Sequence, residues 1–213
     1  MSEAPHASAG NGAVSFRASR SHLARMQARG AELADQLSRF LPPSGEFVWE
    51  IGCGHGHFLT AYALAHPGQL CVGVDITSDR IERANRKRDR EQLPNLHFLR
   101  ADARLFLEVL PSKARIGDVF VLFPDPWPKL RHHKHRVIQP DFLAQVAAKM
   151  GEGGRLFFRT DYEPYFAQAL GMIMDHPLWL VANEPWPFEH ETVFQSRAAS
   201  YRSLVARPRP VSP

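Results

Sequence analysis

Short runs of hydrophobic residues alternate with longer segments whose hydrophobic residues recur every three or four positions, from Phe47 to about residue 174. The runs are typical of buried strands and the longer segments of amphipathic helices. The predicted strands lie at residues 47–51, 70–74, 96–99, 118–123 and 155–158. The predicted helices lie at residues 57–65, 78–91, 103–110, 140–150 and 163–174. Because parallel neighbours need a crossover that can hold a helix, this order predicts an α/β fold with a mostly parallel, doubly wound sheet.

The two ends of the chain extend this prediction. Residues 1–14 are small and polar, so we predict a disordered tail there, followed by a single domain over residues 15–213. Near the other end, hydrophobic runs at 178–181 and 201–205 predict an antiparallel edge of the sheet. Before the first strand, a helix is predicted by hydrophobic residues at helical spacing: Leu23, Met26, Leu33, Leu37 and Phe40.

Composition narrows the class of protein. The 213 residues are 44% hydrophobic and 23% charged, which is typical of a globular protein. No hydrophobic stretch approaches the roughly 18 residues that span a bilayer, and the first residues lack a signal-peptide core, so we expect a cytoplasmic protein without a membrane partner. Two cysteines exclude a disulfide framework.

The charge distribution points to anionic partners. The formal net charge is only +4, but basic residues concentrate at positions 80–90 and 129–136. Such clusters bind phosphates in nucleic-acid-binding proteins, although each cluster is equally compatible with a solvated surface.

The segment from Glu50 to Gly56, called the glycine loop below, follows the first predicted strand and precedes a helix. Backbone amides at such a turn bind ligands, and glycine allows their close approach. Asp75 ends the second predicted strand, where a carboxylate can accept hydrogen bonds from ribose hydroxyls. A nucleotide-type ligand is therefore expected here, with a tight structural turn as the alternative.

S-adenosylmethionine fits this loop better than NAD. The third glycine of the dinucleotide pattern G-x-G-x-x-G is displaced, and the Glu50 carboxylate would repel a pyrophosphate. A ligand with a sulfonium and an ammonium would instead be attracted. Asp102 follows the third strand and can accept from the adenine amino group, or simply cap the next helix. The predicted cofactor contacts are Glu50, Gly52, Gly54, Asp75 and Asp102.

A proline-rich segment follows the fourth predicted strand. In Pro124-Asp125-Pro126-Trp127-Pro128, three prolines fix φ and remove backbone donors, so Asp125 is held rigidly at the carboxyl end of a strand. A rigid carboxylate there is expected in a site, and a structural Asp-Pro turn is the alternative.

From Phe123 to Arg136 the sequence resembles the signature of bacterial tRNA (guanine-N7-)-methyltransferases of the TrmB family. The Thr160-Asp161-x-Glu163 and Thr192-x-Phe194 motifs agree with it, and the resemblance extends from about residue 16 to 205. It implies a Rossmann-like class I methyltransferase fold, S-adenosylmethionine as the cofactor and tRNA as the partner. Asp125 becomes both a cofactor contact and the catalytic candidate. Together with the basic run, the resemblance gives these expected substrate contacts: Lys129, Arg131, Lys134, Arg136, Asp161, Thr192, Phe194 and Gln195.

Three positions depart from the family pattern. Gln195 replaces a glutamate, Arg202 replaces a glycine, and His135 stands where lysine or arginine is common. They leave open a paralogue that methylates another RNA or a small molecule. The basic surface leaves open an RNA-binding protein whose cofactor pocket is only structural. No metal is expected, because cations surround His132, His133 and His135. The oligomeric state, monomer or homodimer, is left open.

The mechanism predicted from the sequence needs no general base, because N7 of guanine carries a lone pair and no proton. Alignment of the reacting atoms supplies most of the catalysis. A fixed carboxylate, for which Asp125 is the candidate, stabilises the cationic methylated ring.

Overall fold

The computed structural model describes residues 11–191 and 195–210, which form a seven-stranded sheet with helices on both faces. The helices are α1 (Asn11–Ser38), α2 (His57–Ala65), α3 (Ser78–Arg90), α4 (Ala103–Val109), α5 (Pro140–Lys149) and α6 (Glu163–Met174). The strands are β1 (Glu46–Ile51), β2 (Cys71–Asp75), β3 (Leu96–Arg100), β4 (Arg115–Leu122), β5 (Met150–Thr160), β6 (Trp179–Ala182) and β7 (Arg202–Pro208). Two short 3₁₀ helices cover Leu130–His135 and Gln195–Arg197.

The strand order is β3-β2-β1-β4-β5-β7-β6, and only the pairs that involve β7 are antiparallel within the described residues. The carboxyl ends of β1 to β5 therefore lie along one edge of the sheet. The order reverses direction at β1 and β4, where doubly wound sheets bind their ligands. The predicted fold class is confirmed.

Hydrophobic residues on the two faces of the sheet form two core clusters. The larger cluster joins one face to α1, α4, α5 and α6, with Trp49 and Phe106 fully buried and stacked at 4.9 Å between ring centroids. The smaller cluster joins the other face to α2 and α3. Both faces are covered, which explains why β1, β2 and β4 read as continuous hydrophobic runs.

Two boundaries differ from the sequence prediction. Helix α1 begins at Asn11, inside the predicted tail of residues 1–14, because no proline interrupts helix formation between Pro5 and Pro42. Residues 1–10 lie outside the described part of the chain. Strand β5 begins at Met150, earlier than the predicted start at 155, because Gly151, Gly153 and Gly154 hide the strand pattern. Among the described helices, none is both long and apolar enough to cross a membrane.

Candidate functional site

The glycine loop connects β1 to α2 and leaves room for a ligand. Gly52 and Gly54 have φ values of 70° and 54°, which side chains rarely adopt, and a Cβ atom at either position would meet nothing within 4 Å. The N–H of Gly52 donates to the Val74 carbonyl at 2.8 Å, so the loop is fixed to the end of β2. The two predicted glycines therefore lie on an open face of a rigid turn.

Glu50 is a buried acid at the start of this loop. Only 4% of the residue is exposed, and its Oε2 atom has no hydrogen-bond partner among the described residues. Burial raises the pKa of Glu50 to about 8, the N–H of Leu59 lowers it, and the Asp75 carboxylate raises it. A buried carboxyl oxygen without a partner is costly, so this position calls for a positively charged or hydrogen-bond-donating ligand group.

Asp75 lies beside Glu50 at the end of β2 and is also buried. Its Oδ2 accepts from the N–H of Gly54 at 3.1 Å, and its Oδ1 accepts from the N–H of Thr77 at 2.8 Å. The guanidinium of Arg80 lies 3.5 Å from Oδ2. Since a carboxylate has about four acceptor positions, Asp75 holds the loop and still has capacity for a ligand hydroxyl.

Asp102 lies at the end of β3, close to β2 because the N–H of Ala101 donates to the Asp75 carbonyl at 3.1 Å. Its Oδ1 caps α4 by accepting from the N–H groups of Arg104 and Leu105, at 2.9 and 3.3 Å. The capping alternative is thus observed. Both bonds use one oxygen, so the cap is compatible with a ligand contact through Oδ2.

Ile76, which the sequence prediction did not single out, is an exposed hydrophobic residue at the carboxyl edge of the sheet. It follows Asp75, and 69% of the residue is exposed to solvent although Asp75 itself is buried. An exposed aliphatic side chain next to the acidic end of β2 offers an apolar surface to a ligand. The signal in the sequence was one hydrophobic residue beyond the end of a predicted strand.

The proline segment after β4 is held in an uncommon conformation. Phe123 and Trp127 have φ values of 48° and 43°, which cost on the order of 1 kcal/mol for residues with a side chain. The N–H of Phe123 donates to the Arg159 carbonyl at 2.8 Å. Asp125 is exposed at the middle of the segment, at the same edge as the glycine loop. The bond from Phe123 to Arg159 thus holds the start of the segment on which Asp125 is exposed.

Arg136 holds the other end of this segment. Its Nε donates to the Pro126 carbonyl at 2.8 Å and its Nη2 to the Trp127 carbonyl at 3.4 Å, while its guanidinium lies 4.7 Å from the Tyr165 ring centroid. The residue is only 2% exposed. The expectation that Arg136 contacts a phosphate is therefore wrong in this structure: its donors are directed to protein carbonyls.

We expect Arg136→Lys to lower the free energy of unfolding by about 2 kcal/mol, because lysine cannot donate to two carbonyls in a planar fork. Urea unfolding measures this change. Arg131→Lys is the matched control at an exposed position, where we expect a change within about 0.5 kcal/mol. Equal effects of the two substitutions would contradict the structural role of Arg136.

The remaining basic residues of the run are presented to solvent. Lys129, Arg131 and Lys134 are exposed on and beside the 3₁₀ helix Leu130–His135. The rings of Trp127, His132 and His135 contact one another, with 5.7 Å between the Trp127 and His132 centroids. In the described part of the chain, no group of three or more His, Cys, Asp or Glu side chains is arranged to hold a metal ion.

Arg159, near the end of β5, connects the proline segment to residues that lie between β6 and β7. Its side chain is 5% exposed and forms two bonds to the Glu189 carboxylate, at 2.8 and 3.0 Å, which lower the pKa of Glu189. The guanidinium lies 4.0 Å from the Trp186 ring centroid and 4.7 Å from that of Tyr201. The sequence signal for this residue was a charge at the end of a buried hydrophobic run.

Two of the expected substrate residues lie near Arg159. Asp161 is exposed just beyond the end of β5. Gln195 accepts from Arg159 at 3.4 Å and donates to the Tyr201 hydroxyl at 3.0 Å, so its amide is bonded to protein at both atoms. Thr192 and Phe194 lie outside the described residues.

Solved structures with the same fold are methyltransferases. The chain superposes on TrmN from Thermus thermophilus with a TM-score of 0.56 and 20% identity, over 83% of this chain and 48% of that one. It superposes on an rRNA methylase from Streptococcus thermophilus with a TM-score of 0.51 and 12% identity, over 82% and 93% of the two chains. The strand order and the loop after β1 thus define a class I methyltransferase fold.

Sequence comparison identifies the family. A family model described as "Putative methyltransferase" matches residues 44–202. The tRNA (guanine-N(7)-)-methyltransferase of Thermosynechococcus vestitus is 34% identical over 156 residues, which cover 70% of this chain and 73% of that protein. The enzyme of the same name from Streptomyces coelicolor is 35% identical over 61% of this chain and 48% of its own length. The chain belongs to the family of these tRNA (guanine-N(7)-)-methyltransferases, although its match spans only about half of the Streptomyces relative.

Proposed function

We propose that the protein methylates N7 of guanine in tRNA with S-adenosylmethionine as the donor. The observation that carries this proposal is the buried carboxyl oxygen of Glu50, which has no hydrogen-bond partner among the described residues and lies beside the open glycine loop, in a chain of this family. A pyrophosphate cofactor is a poor fit for the same reason that a cationic one is a good fit: the nearest side chains, Glu50 and Asp75, are acidic.

Four side chains fit the parts of the donor. Glu50 suits the ammonium group of the methionine part, and Asp75 suits the ribose hydroxyls. The exposed face of Ile76 suits the adenine ring, and Oδ2 of Asp102 suits its amino group. When bound, S-adenosylmethionine supplies a methyl group on a positively charged sulfur.

The reaction requires no proton transfer by the protein. As the N7 lone pair forms its bond to the methyl carbon, the carbon–sulfur bond breaks, so positive charge moves from sulfur to the guanine ring. Asp125 is an exposed carboxylate on a segment fixed by Arg136 and by the Arg159 carbonyl. A preorganised negative charge at this edge stabilises the ring as it becomes cationic. Asp161, on the neighbouring strand end, can accept from the N–H groups of guanine.

The tRNA would contact Lys129, Arg131 and Lys134 through its phosphates. We expect neutralising these three residues together to weaken tRNA binding and to reduce the slope of log K against log salt by up to about 0.7–0.9 for each lost contact. Binding measured at several salt concentrations tests this, with donor affinity as the internal control. An unchanged slope would make the basic run a solvated surface.

Incubation with bulk tRNA and labelled donor, followed by nucleoside analysis, tests the reaction itself. We expect the label in 7-methylguanosine. An enzyme with this activity would act on tRNA in the cytoplasm. Label in another nucleoside would favour a paralogue with a changed substrate, for which Gln195 and Arg202 are the candidate causes. Bound tRNA without transfer would favour an RNA-binding protein.

A further inference from the structure

Lys87 contacts the glycine loop from a distant part of the chain. It lies on α3, and its Nζ donates to the carbonyl oxygen of His55 at 3.1 Å. The same Nζ lies 2.8 Å from Nδ1 of His57, the first residue of α2. The side chain is half-buried. One ammonium therefore joins the end of the glycine loop to the start of the helix that follows it.

The charges at this contact are consistent with a hydrogen bond from a cation to a neutral ring. Burial lowers the pKa of His57, and Lys87, His55 and His190 lower it further. The imidazole is then neutral near pH 7, with its proton on Nε2 and Nδ1 free to accept. Burial and the charge of Arg90 lower the pKa of Lys87, while Glu50 and Glu91 raise it. A charged donor with two acceptors makes a stronger link than a neutral one.

The two halves of the loop are held by different side chains. Asp75 accepts from the N–H of Gly54 and so holds the first half. Lys87 holds the second half through the His55 carbonyl. Glycines in the left-handed region make such a loop costly to order, and a loop that is ordered before binding loses less entropy when the ligand arrives.

We propose that Lys87 is a positioning residue for the methyl donor: its ammonium fixes His55 and His57 and thereby keeps the glycine loop in the conformation that binds the donor. This inference rests on the proposed function, since it assumes that the ligand of the loop is an S-adenosyl compound. Lys87 acts through the loop and contributes no contact to the donor itself.

Two ligands separate positioning from direct contact. S-adenosylhomocysteine carries the amino-acid group of the donor, whereas 5′-methylthioadenosine lacks its ammonium and carboxylate. Calorimetry with the full chain measures the affinity of both. We expect Lys87→Met to weaken the binding of both ligands by about tenfold and to lower the melting temperature by at most about 4 °C, so that the protein stays folded. Lys87→Arg, which keeps a charged donor, is expected to recover most of the affinity.

Arg86→Met is the matched control, because Arg86 carries the same charge at the next, exposed position of α3. We expect it to leave both affinities unchanged. His57→Phe removes one acceptor, and adding it to Lys87→Met should cost less than twofold more, because the two residues act through one contact.

Several results would overturn the proposal. A loss confined to S-adenosylhomocysteine would show that Lys87 acts on the amino-acid group, directly or through the charge of Glu50, and not through the loop. An equal loss in Arg86→Met would show a general charge effect. Unchanged affinities in Lys87→Met would remove any role in binding. The proposed reaction is tested independently of the role of Lys87. If the parent protein binds S-adenosylhomocysteine but forms no 7-methylguanosine, the reaction is contradicted, whereas the expected affinities of the Lys87 and Arg86 variants would still support the role of Lys87.

Discussion

Glu50→Gln is expected to make the folded protein more stable at alkaline pH and to weaken its affinity for the methyl donor by about 10–100-fold. The loss of affinity follows because the amide cannot offer a negative charge to the donor ammonium. The gain in stability follows from burial, which raises the pKa of Glu50 from 4.5 to about 8. Ionising a buried carboxyl is unfavourable, and glutamine has no proton to lose.

The sign of the pH dependence is fixed by this shift. Between pH 4.5 and 8, the folded protein keeps a proton on Glu50 that the unfolded chain has released, so the folded state loses stability as the pH rises. The stabilisation that comes from the raised pKa of Glu50 is fully present below pH 4.5 and is lost as the pH rises through 8, for a total of roughly 5 kcal/mol.

Urea unfolding at several pH values compares the variant with the parent protein. We expect the stability difference between them to grow steadily from pH 5 to pH 8. Glu46→Gln is the matched control, because Glu46 is an exposed glutamate at the opposite end of the same strand. Parallel pH profiles for Glu50→Gln and the parent would contradict the burial of an unpaired acid at this position.

Asp125→Asn is expected to reduce single-turnover methylation of tRNA by about 10²–10³-fold, the usual effect of removing one preorganised electrostatic group. The substitution keeps the shape of the side chain and removes its charge. Because Arg136 and Arg159 hold the backbone of the proline segment, we expect the melting temperature to stay the same. Donor affinity should change less than turnover if the carboxylate acts mainly on the guanine ring.

Asp175→Asn serves as the control for Asp125→Asn, since Asp175 is an exposed aspartate that follows the carboxyl end of α6. It is expected to methylate at the parental rate. A folded Asp125→Asn protein with parental turnover would assign the proline segment a structural role only. The rate of the parent protein should also show no ionisation of a required base near neutral pH, because N7 has no proton to remove.

The sequence predicts the sheet well because strand and helix patterns are local. The runs around Trp49 and Phe120 and the turn from Gly52 to Gly54 each carry their signal within a few residues. The proline spacing likewise predicts a rigid segment around Asp125. The beginning of β5 is missed because glycines mask its pattern.

Contacts between distant residues could not be predicted in the same way. Arg136 looks like a member of an exposed basic run, and only the packing of Tyr165 and the two carbonyls around it shows that it is buried. Lys87 reads as one of several cations on a polar helix, yet its ammonium donates to the glycine loop at the carbonyl of His55, 32 residues earlier. A one-dimensional pattern gives the charge of such a residue and not its partner.

The position of the antiparallel strand β7 in the sheet affects the order in which parts of the protein can fold during synthesis. It pairs between β5 and β6, so the chain leaves a gap in the sheet until residues 202–208 have been synthesised. Arg159 depends on that late strand, because its Nε donates to the Ser203 hydroxyl at 2.9 Å. During translation the half of the sheet that holds the glycine loop can therefore fold first. The surroundings of Arg159 are completed only when β7 inserts, so we expect a nascent chain to order the glycine loop before it orders the region around Arg159.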